Sequence, residues 1–541
     1  MIPLPTRPRS HAARRALALG GAAALAVGLA VPLGASAAAA APEEPLGLAG
    51  SQLYVNPWST TLEAAQSLSG QARDDAQLLG SIPSADWFTS GTPAEVEAAV
   101  DAVVTAAAAQ GRMPLLVAYN LPFRDCAQYS AGGAAGTAEY LAWIDGFAAG
   151  IGDRPAAVIL EPDGLGIIPH YVTLDGVAEW CQPAEVPADT AAADRFAQLN
   201  GAVDAIGALP AASVYLDGTG SSWLNVGEIS DRLLKGGVER ADGFFLNASN
   251  YQFTANSTAF GTWISQCIAY VTQVNPGDFG SCGNQYWAGG PANNWGGDWP
   301  AGFGGALSPY GEWSADAADP ALDTSGVQSR YELILGGVEP TTRFVIDTSR
   351  NGLGPWQYPV GVYPAHEDWC NPPDRGLGLR PDTTTGVALV DAYLWIKVPG
   401  ESDGKCYRGT TGPLDPERGM EDPAAGQWFV EQARELIALA NPPIAPLDCH
   451  VDWVADGDAR AFSATVRLSG AVPDRWTLAF AVPEDQQVTK ATRATVSQQS
   501  DVVAVAGAAK RTGNAPDTVV HAKGAVTTPW QFLLGGRACT S

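Results

Sequence analysis

Five short apolar runs in this chain each give way, at the C-terminal end, to a carboxylate. Leu115-Leu116-Val117-Ala118-Tyr119 leads to Arg124-Asp125, and Val158-Ile159-Leu160 leads to Glu161-Pro162-Asp163. Val214-Tyr215-Leu216 ends at Asp217, and Phe344-Val345-Ile346 ends at Asp347. Leu394-Trp395-Ile396-Lys397-Val398 runs on into Pro399-Gly400-Glu401-Ser402-Asp403. Acids gathered in this way suit hydrolysis of a glycosidic bond. That reaction needs a proton for the departing oxygen and, when it inverts, a base for the attacking water. Asp163 is best placed to be the acid. It follows a buried run, and a low-dielectric site with neighbouring carboxylates keeps a carboxyl protonated. One Glu-Pro-Asp alone would more often be structural; five strand-end acids change that balance.

The runs lack polar alternation and so read as strands buried on both faces of a parallel sheet. Between them, 95–110 (with Val96, Val100, Val103 and Val104), 137–151 and 191–209 have helical character. Strand, helix and strand in series imply right-handed crossovers, with acids collecting at the C-terminal edge of the sheet. The fold class expected is α/β, a distorted parallel α/β barrel with fewer than eight regular strands. The segment 277–325, loaded with Gly, Asn, Pro and Trp, reads as a long irregular insertion. Asn441-Pro442-Pro443-Ile444-Ala445-Pro446 marks a boundary. Beyond it Phe462, Ala464, Val466 and Leu468, then Trp476, Leu478 and Phe480, alternate in period two, as a small all-β sandwich would.

Net charge is −26 over 541 residues, which argues against a nucleic-acid partner. Arg7, Arg9, Arg14 and Arg15, an apolar stretch at 16–33 and Ala35-Ser36-Ala37 read as a signal peptide. The Arg14-Arg15 pair leaves Sec and twin-arginine export both open. A secreted, extracellular protein free of the membrane after signal removal is expected, working as a monomer. Eight cysteines in an exported chain imply four disulfides. The absence of Cys-x-x-Cys and a total of five histidines speak against zinc, so neither metal nor cofactor is expected. The domain limits expected are 1–37 signal, 43–442 catalytic, 443–448 linker and 449–541 sandwich.

Over nearly all of 50–442 the motifs closely resemble glycoside hydrolase family 6, the inverting cellulases. They are Tyr119-Asn120-Leu121-Pro122-Phe123-Arg124-Asp125-Cys126, Ile159-Leu160-Glu161-Pro162-Asp163, Tyr215-Leu216-Asp217 with Trp223, Trp369-Cys370-Asn371-Pro372, and 397–404. The resemblance implies Asp163 as general acid, Asp125 tuning it and ordering water, and Asp403 as candidate base. It implies Asp217 as a supporting acid and Tyr119 as the residue that distorts the sugar ring. Substrate contacts are implied for Trp58, Trp223 and Trp369 as stacking platforms, for Arg124, Asn247, Lys397 and Glu401, and for Ser130 as holder of the water. Asp347 with Arg350 is expected to shape the site. Gly220 departs from the family, which usually carries His there, and this weakens the leaving-side subsite. The family pattern pairs Cys126 with Cys181 and Cys370 with Cys406; Cys267–Cys282 and Cys449–Cys539 would complete the set.

The terminal domain resembles a family 2 carbohydrate-binding module through Cys449-His450-Val451-Asp452-Trp453, Phe462, Trp476-Thr477-Leu478, Gln486-Gln487-Val488-Thr489 and Cys539-Thr540. Where such modules expose three coplanar Trp, this chain has Asp458, Thr492 and Lys510, so weak or no cellulose binding is expected of it. The function implied is a secreted β-1,4-glucanase acting on cellulose and cello-oligosaccharides with inversion. Exo action is favoured because 277–325 and 407–425 lengthen the chain where exo members roof their clefts. Endo action is the alternative. A non-catalytic glucan-binding protein would require lost acids, and Asp125, Asp163, Asp217 and Asp403 are all present.

Overall fold

Strand residues in this protein are buried on both sides of a curled sheet, which is why their runs show no alternation. The computed structural model describes residues 47–286, 291, 311–316, 318, 322–365, 367–483, 485–508 and 517–541. The expected signal peptide, much of the expected insertion at 277–325, and Lys510 lie outside them. The first part contains, in order, α1 (Thr60–Ser67), α2 (Gln71–Leu79), β1 (Asp86–Phe88), α3 (Pro93–Ala109), β2 (Leu115–Ala118), α4 (Thr137–Ile151) and β3 (Ala156–Leu160). It continues with α5 (Ala191–Gly207), β4 (Ala212–Asp217), α6 (Val226–Gly236), β5 (Gly243–Leu246), α7 (Thr254–Ala269), α8 (Ser325–Leu335), β6 (Arg343–Asp347), β7 (Val390–Leu394) and α9 (Val430–Ala438).

The strands β1 to β7 form one parallel sheet in sequence order, a curled half-barrel. Alternate residues face opposite ways. Leu116, Val158, Leu160, Val214, Leu216, Phe244 and Phe344 pack outward on the helices. Leu115, Val117, Tyr119, Ile159, Tyr215, Phe245, Val345 and Leu394 pack inward among themselves. The two edges of the half-barrel are stitched by Ala85 N–H to the Trp395 carbonyl at 3.0 Å and Trp87 Nε1 to the Ile396 carbonyl at 2.8 Å.

Local signals place the helices. Thr92 caps α3 reciprocally with Glu95, Pro93 takes the first turn, and Val96, Val100, Val104 and Ala107 form the buried stripe. Asn225 caps α6, which ends at Gly237 in the left-handed region with φ of 95°. Two strand expectations differ from the structure. The fifth apolar run enters the sheet only through Leu394, because β7 begins at Val390 and Trp395 to Val398 already lie past its end. The strand β5 was not among the five runs, being short and ending in an amide, Asn247, rather than an acid.

The second part contains β8 (Cys449–Gly457), β9 (Ala461–Gly470), β10 (Arg475–Ala481), β11 (Gln487–Ala491), β12 (Thr495–Gln499), β13 (Val502–Ala508), β14 (Thr518–Lys523), β15 (Phe532–Leu534) and β16 (Arg537–Cys539). These form two antiparallel sheets, β12-β13-β10-β15-β16 and β11-β14-β9-β8. Val451, Phe462, Val466, Trp476, Leu478, Phe480 and Phe532 fill the space between. Trp453 packs edge-on against Phe480 at 5.1 Å, so both tryptophans belong to the core. The disulfides Cys126–Cys181, Cys267–Cys282, Cys370–Cys406 and Cys449–Cys539 are all formed. Among the described residues no helix is long and apolar enough to cross a membrane.

Candidate active site

At the C-terminal edge of the half-barrel the chain repeatedly takes a conformation that side chains disfavour. Phe123, Asp125, Cys126, Ala127, Glu161, Asp163, Thr219, Asn247, Ser249 and Asn371 all have positive φ. Strain gathered in one place marks a site held by its surroundings.

Asp163 follows β3 in a turn fixed from three sides. Glu161, fully buried, accepts the Asn120 N–H at 2.9 Å and the Leu121 N–H at 3.1 Å, which fastens the turn to the end of β2. Asp217, at the end of β4, accepts the N–H groups of Leu165 (3.2 Å) and Gly166 (3.0 Å) on one oxygen and of Thr219 (2.8 Å) on the other. Arg195 donates to the carbonyls of Gly164 and Ile167, both at 2.7 Å, and to Pro122 at 3.2 Å. Burial pushes the Asp163 carboxyl well above the usual carboxylate range, and the charges of Asp217 and Asp125 push it further. Burial raises Asp125 as well, against the Ser130 N–H at 2.7 Å and Arg124. Burial brings Asp217 up to about 6 and Glu161 up to about 7, each opposed by its N–H bonds.

Asp403 sits in the opposite environment. Arg350 grips it with two parallel bonds of 2.9 Å. The Tyr251 hydroxyl and the Asn371 N–H each donate at 3.0 Å, and the Lys397 ammonium lies 3.6 Å away. Burial alone would raise its pKa, but Arg350 and Lys397 outweigh burial and hold it below the ordinary value. Asp347, also buried, accepts N–H groups from Ser249, Ser349, Ile396 and Lys397, so it braces the ends of β5, β6 and β7.

Asp125, Asp163 and Asp403 line one cleft of about 660 Å³, together with Tyr119, Arg124, Ser130, Trp223, Trp369, Lys397 and Glu401. Arg124 also serves the loop itself: it lies 4.4 Å over the Tyr119 ring and donates to the carbonyls of Thr89 (3.0 Å), Tyr119 and Ser130 (2.8 Å). The loops after β2, β6 and β7 meet at Tyr129. Its hydroxyl donates to Glu367 at 3.2 Å and accepts the Tyr407 N–H at 3.1 Å, and its ring lies 5.8 Å from Trp369.

Three expected site residues are placed elsewhere. Asp217 stands behind the Asp163 turn rather than on the cleft wall, because its oxygens are taken up by backbone N–H groups. Asn247 is buried as a brace: its amide donates to the Asp347 carbonyl at 2.8 Å and accepts the Gln252 N–H at 2.9 Å. Trp58 lies outside the cleft lining, with its ring 5.1 Å from Trp530 and its Nε1 3.4 Å from Asp501, both of the sandwich.

Other cleft residues went unread in the sequence. Tyr251 and Gln252 follow β5, the strand that was missed. Trp87 lies within β1, a strand too short to register, and Trp180, 55% exposed, stands at the mouth. Its neighbour Cys181 bridges to Cys126 beside Asp125, and that pairing was the available signal for Trp180. Gly220 has open space where a side chain would start. In the sandwich, Asp458 closes its own turn by accepting the N–H groups of Arg460 and Ala461, and the Thr492 hydroxyl accepts the Val519 N–H at 2.8 Å.

A sequence model of the family described as Glycosyl hydrolases family 6 matches residues 48–440. Endoglucanase A of Thermobispora bispora is 32% identical over 392 residues, 72% of this chain and 65% of that protein. Endoglucanase A of Cellulomonas fimi is 31% identical, with coverage of 72% and 62%. The chain therefore spans somewhat under two thirds of the length of these relatives. A protein called probable 1,4-beta-D-glucan cellobiohydrolase C, from Neosartorya fischeri, is 28% identical over 422 residues, covering 73% of this chain and 78% of that one. The solved endoglucanase Cel6 of Mycobacterium tuberculosis is 30% identical and covers 73% of this chain and 98% of its own, with a TM-score of 0.49. By the family match across most of its length, this chain belongs to glycosyl hydrolase family 6.

Proposed function

We propose that this protein is a secreted β-1,4-glucanase that cleaves cellulose chains and cello-oligosaccharides with inversion at the anomeric carbon, chiefly from chain ends. The observation that carries the reading is the split between two carboxylates in one cleft, Asp163 pushed up by burial and acids, Asp403 held down by Arg350 and Lys397. A protonated acid gives its proton to the departing glycosidic oxygen. A carboxylate kept anionic on the other side favours loss of a proton from the attacking water. Because its pKa is low, Asp403 is a weak proton acceptor and acts through water, which Ser130 and Asp125 help to order. Tyr119 crowds the ring at the reacting centre, while Trp223 and Trp369 offer flat faces to sugar C–H groups.

Relatives named for endo and for exo action occur side by side, so their names do not choose between the two. The meeting of three loops at Tyr129 favours exo action, since a closed passage admits a chain by its end. The sandwich, with Asp458 and Thr492 in place of aromatic platforms, adds no grip on crystalline cellulose. Anomer-resolved analysis of products from cello-oligosaccharides tests the chemistry: inverted product is expected, and retained anomer would overturn it. Viscosity of a soluble substituted cellulose tests the mode. A slow fall with many new chain ends supports exo action, and a fast fall with few supports endo.

A further inference from the structure

The sandwich meets the half-barrel beside one end of the cleft. Ser541 N–H donates to Gln77 at 2.9 Å, and the Gln77 amide donates back to the Ser541 hydroxyl at 2.7 Å. The Gln531 amide donates to the Gly80 carbonyl at 3.2 Å. Further along, Trp530 stands edge-on to Trp58 with planes 71° apart, and Asp501 takes the Trp58 indole N–H. Trp58 is two residues from Thr60, whose hydroxyl donates to Glu401 on the cleft wall. On the same side, Asn56 donates to Asp86 at 2.8 Å, next to the cleft residue Trp87. The segment 54–60 thus meets the cleft wall at Glu401 through Thr60 and the sandwich through Trp58.

We propose that the sandwich, through Trp530 and Asp501, clamps Trp58 and so holds the segment 54–60 behind Glu401 as the end wall of the glucan cleft, fixing how many sugar units are held on that side. The inference rests on the glucanase reading above and adds what sets its product length. Three features support it. The half-buried Trp58 ring has one edge and its only polar atom occupied by the sandwich, which orients the ring. Thr60 ties the same segment to Glu401 on the cleft wall, so a shift of Trp58 is passed to the cleft. Finally, a sandwich without a platform of its own is placed where it can act on the substrate cleft instead.

The test uses the full chain with Trp530→Ala and Asp501→Ala, and with Gln531→Ala as an interface change away from Trp58. Products from a defined cello-oligosaccharide are measured, together with thermal unfolding. Trp530→Ala and Asp501→Ala should shift products toward longer units by about tenfold, the ratio that 1.4 kcal/mol of lost discrimination gives. Gln531→Ala should leave the ratio unchanged. Folded, active Trp530→Ala or Asp501→Ala with wild-type bond selection would overturn the wall, and so would an equal shift in Gln531→Ala. If the first variant does not fold, Asp501→Ala decides alone. A wild-type protein that releases no sugar at all would instead overturn the glucanase reading.

Discussion

Asp163 and Asp403 are both acids at the mouth of one half-barrel, yet their surroundings drive them apart. Asp163 stands among carboxylates, Asp217 and Asp125, and its carboxyl is raised by burial and by their charges. Asp403 is just as enclosed, but a bidentate Arg350, a nearby Lys397, Tyr251 and the Asn371 N–H keep it ionised. The lesson is that burial does not assign a role. The sign of the neighbours does, and it gives one carboxyl pushed up and one held down from the same residue type.

The comparison breaks most visibly at the donor. Asp163→Ala should lower turnover of cello-oligosaccharides by about 10²–10⁴-fold, the usual worth of general acid catalysis, while leaving thermal unfolding nearly unchanged. Asp403→Ala should show the reverse emphasis in stability. It leaves Arg350 and Lys397 buried without their partner, a loss of about 3–5 kcal/mol measurable by denaturant unfolding. The two acids also differ in how stability depends on pH. The folded pKa of Asp403 is lowered, so its pairing stabilises the fold above about pH 4 and is lost as pH falls through the lowered value. For Asp163 the folded pKa is raised, so its ionisation weakens the fold as pH rises.

Asp217→Asn sharpens the contrast by removing one of the charges that lift Asp163. The alkaline limb of the rate profile should move to lower pH, and a limb that stays in place would mean that Asp217 only holds the turn. The smallest effect is expected at Gly220, where there is room for a side chain. Gly220→His should add a hydrogen bond worth about 1 kcal/mol on the leaving side and lower KM by about fivefold.

Much of this contrast was legible in the sequence, and the gaps have physical causes. Runs such as Val158-Ile159-Leu160 announced strands because both of their faces are buried, and their terminal acids pointed to the catalytic edge. The cations that set Asp403 were less visible. Arg350 comes 53 positions before its partner, and only the curl of the sheet brings them together. Asn247 and Asp217 sit at strand ends like their neighbours, but backbone N–H and carbonyl groups of adjoining loops use up their polar atoms, and spacing cannot show that. The contact of Trp58 with the sandwich is invisible in the sequence because it crosses 443 positions to Asp501.

The central claim is that Asp163 is the proton donor, and leaving-group dependence tests it most directly. Wild type and Asp163→Ala are compared on a cello-oligosaccharide and on an aryl cellobioside whose acidic phenol departs without a proton. The account predicts that the variant loses activity on the first and recovers most of it on the second. An equal loss on both would contradict it.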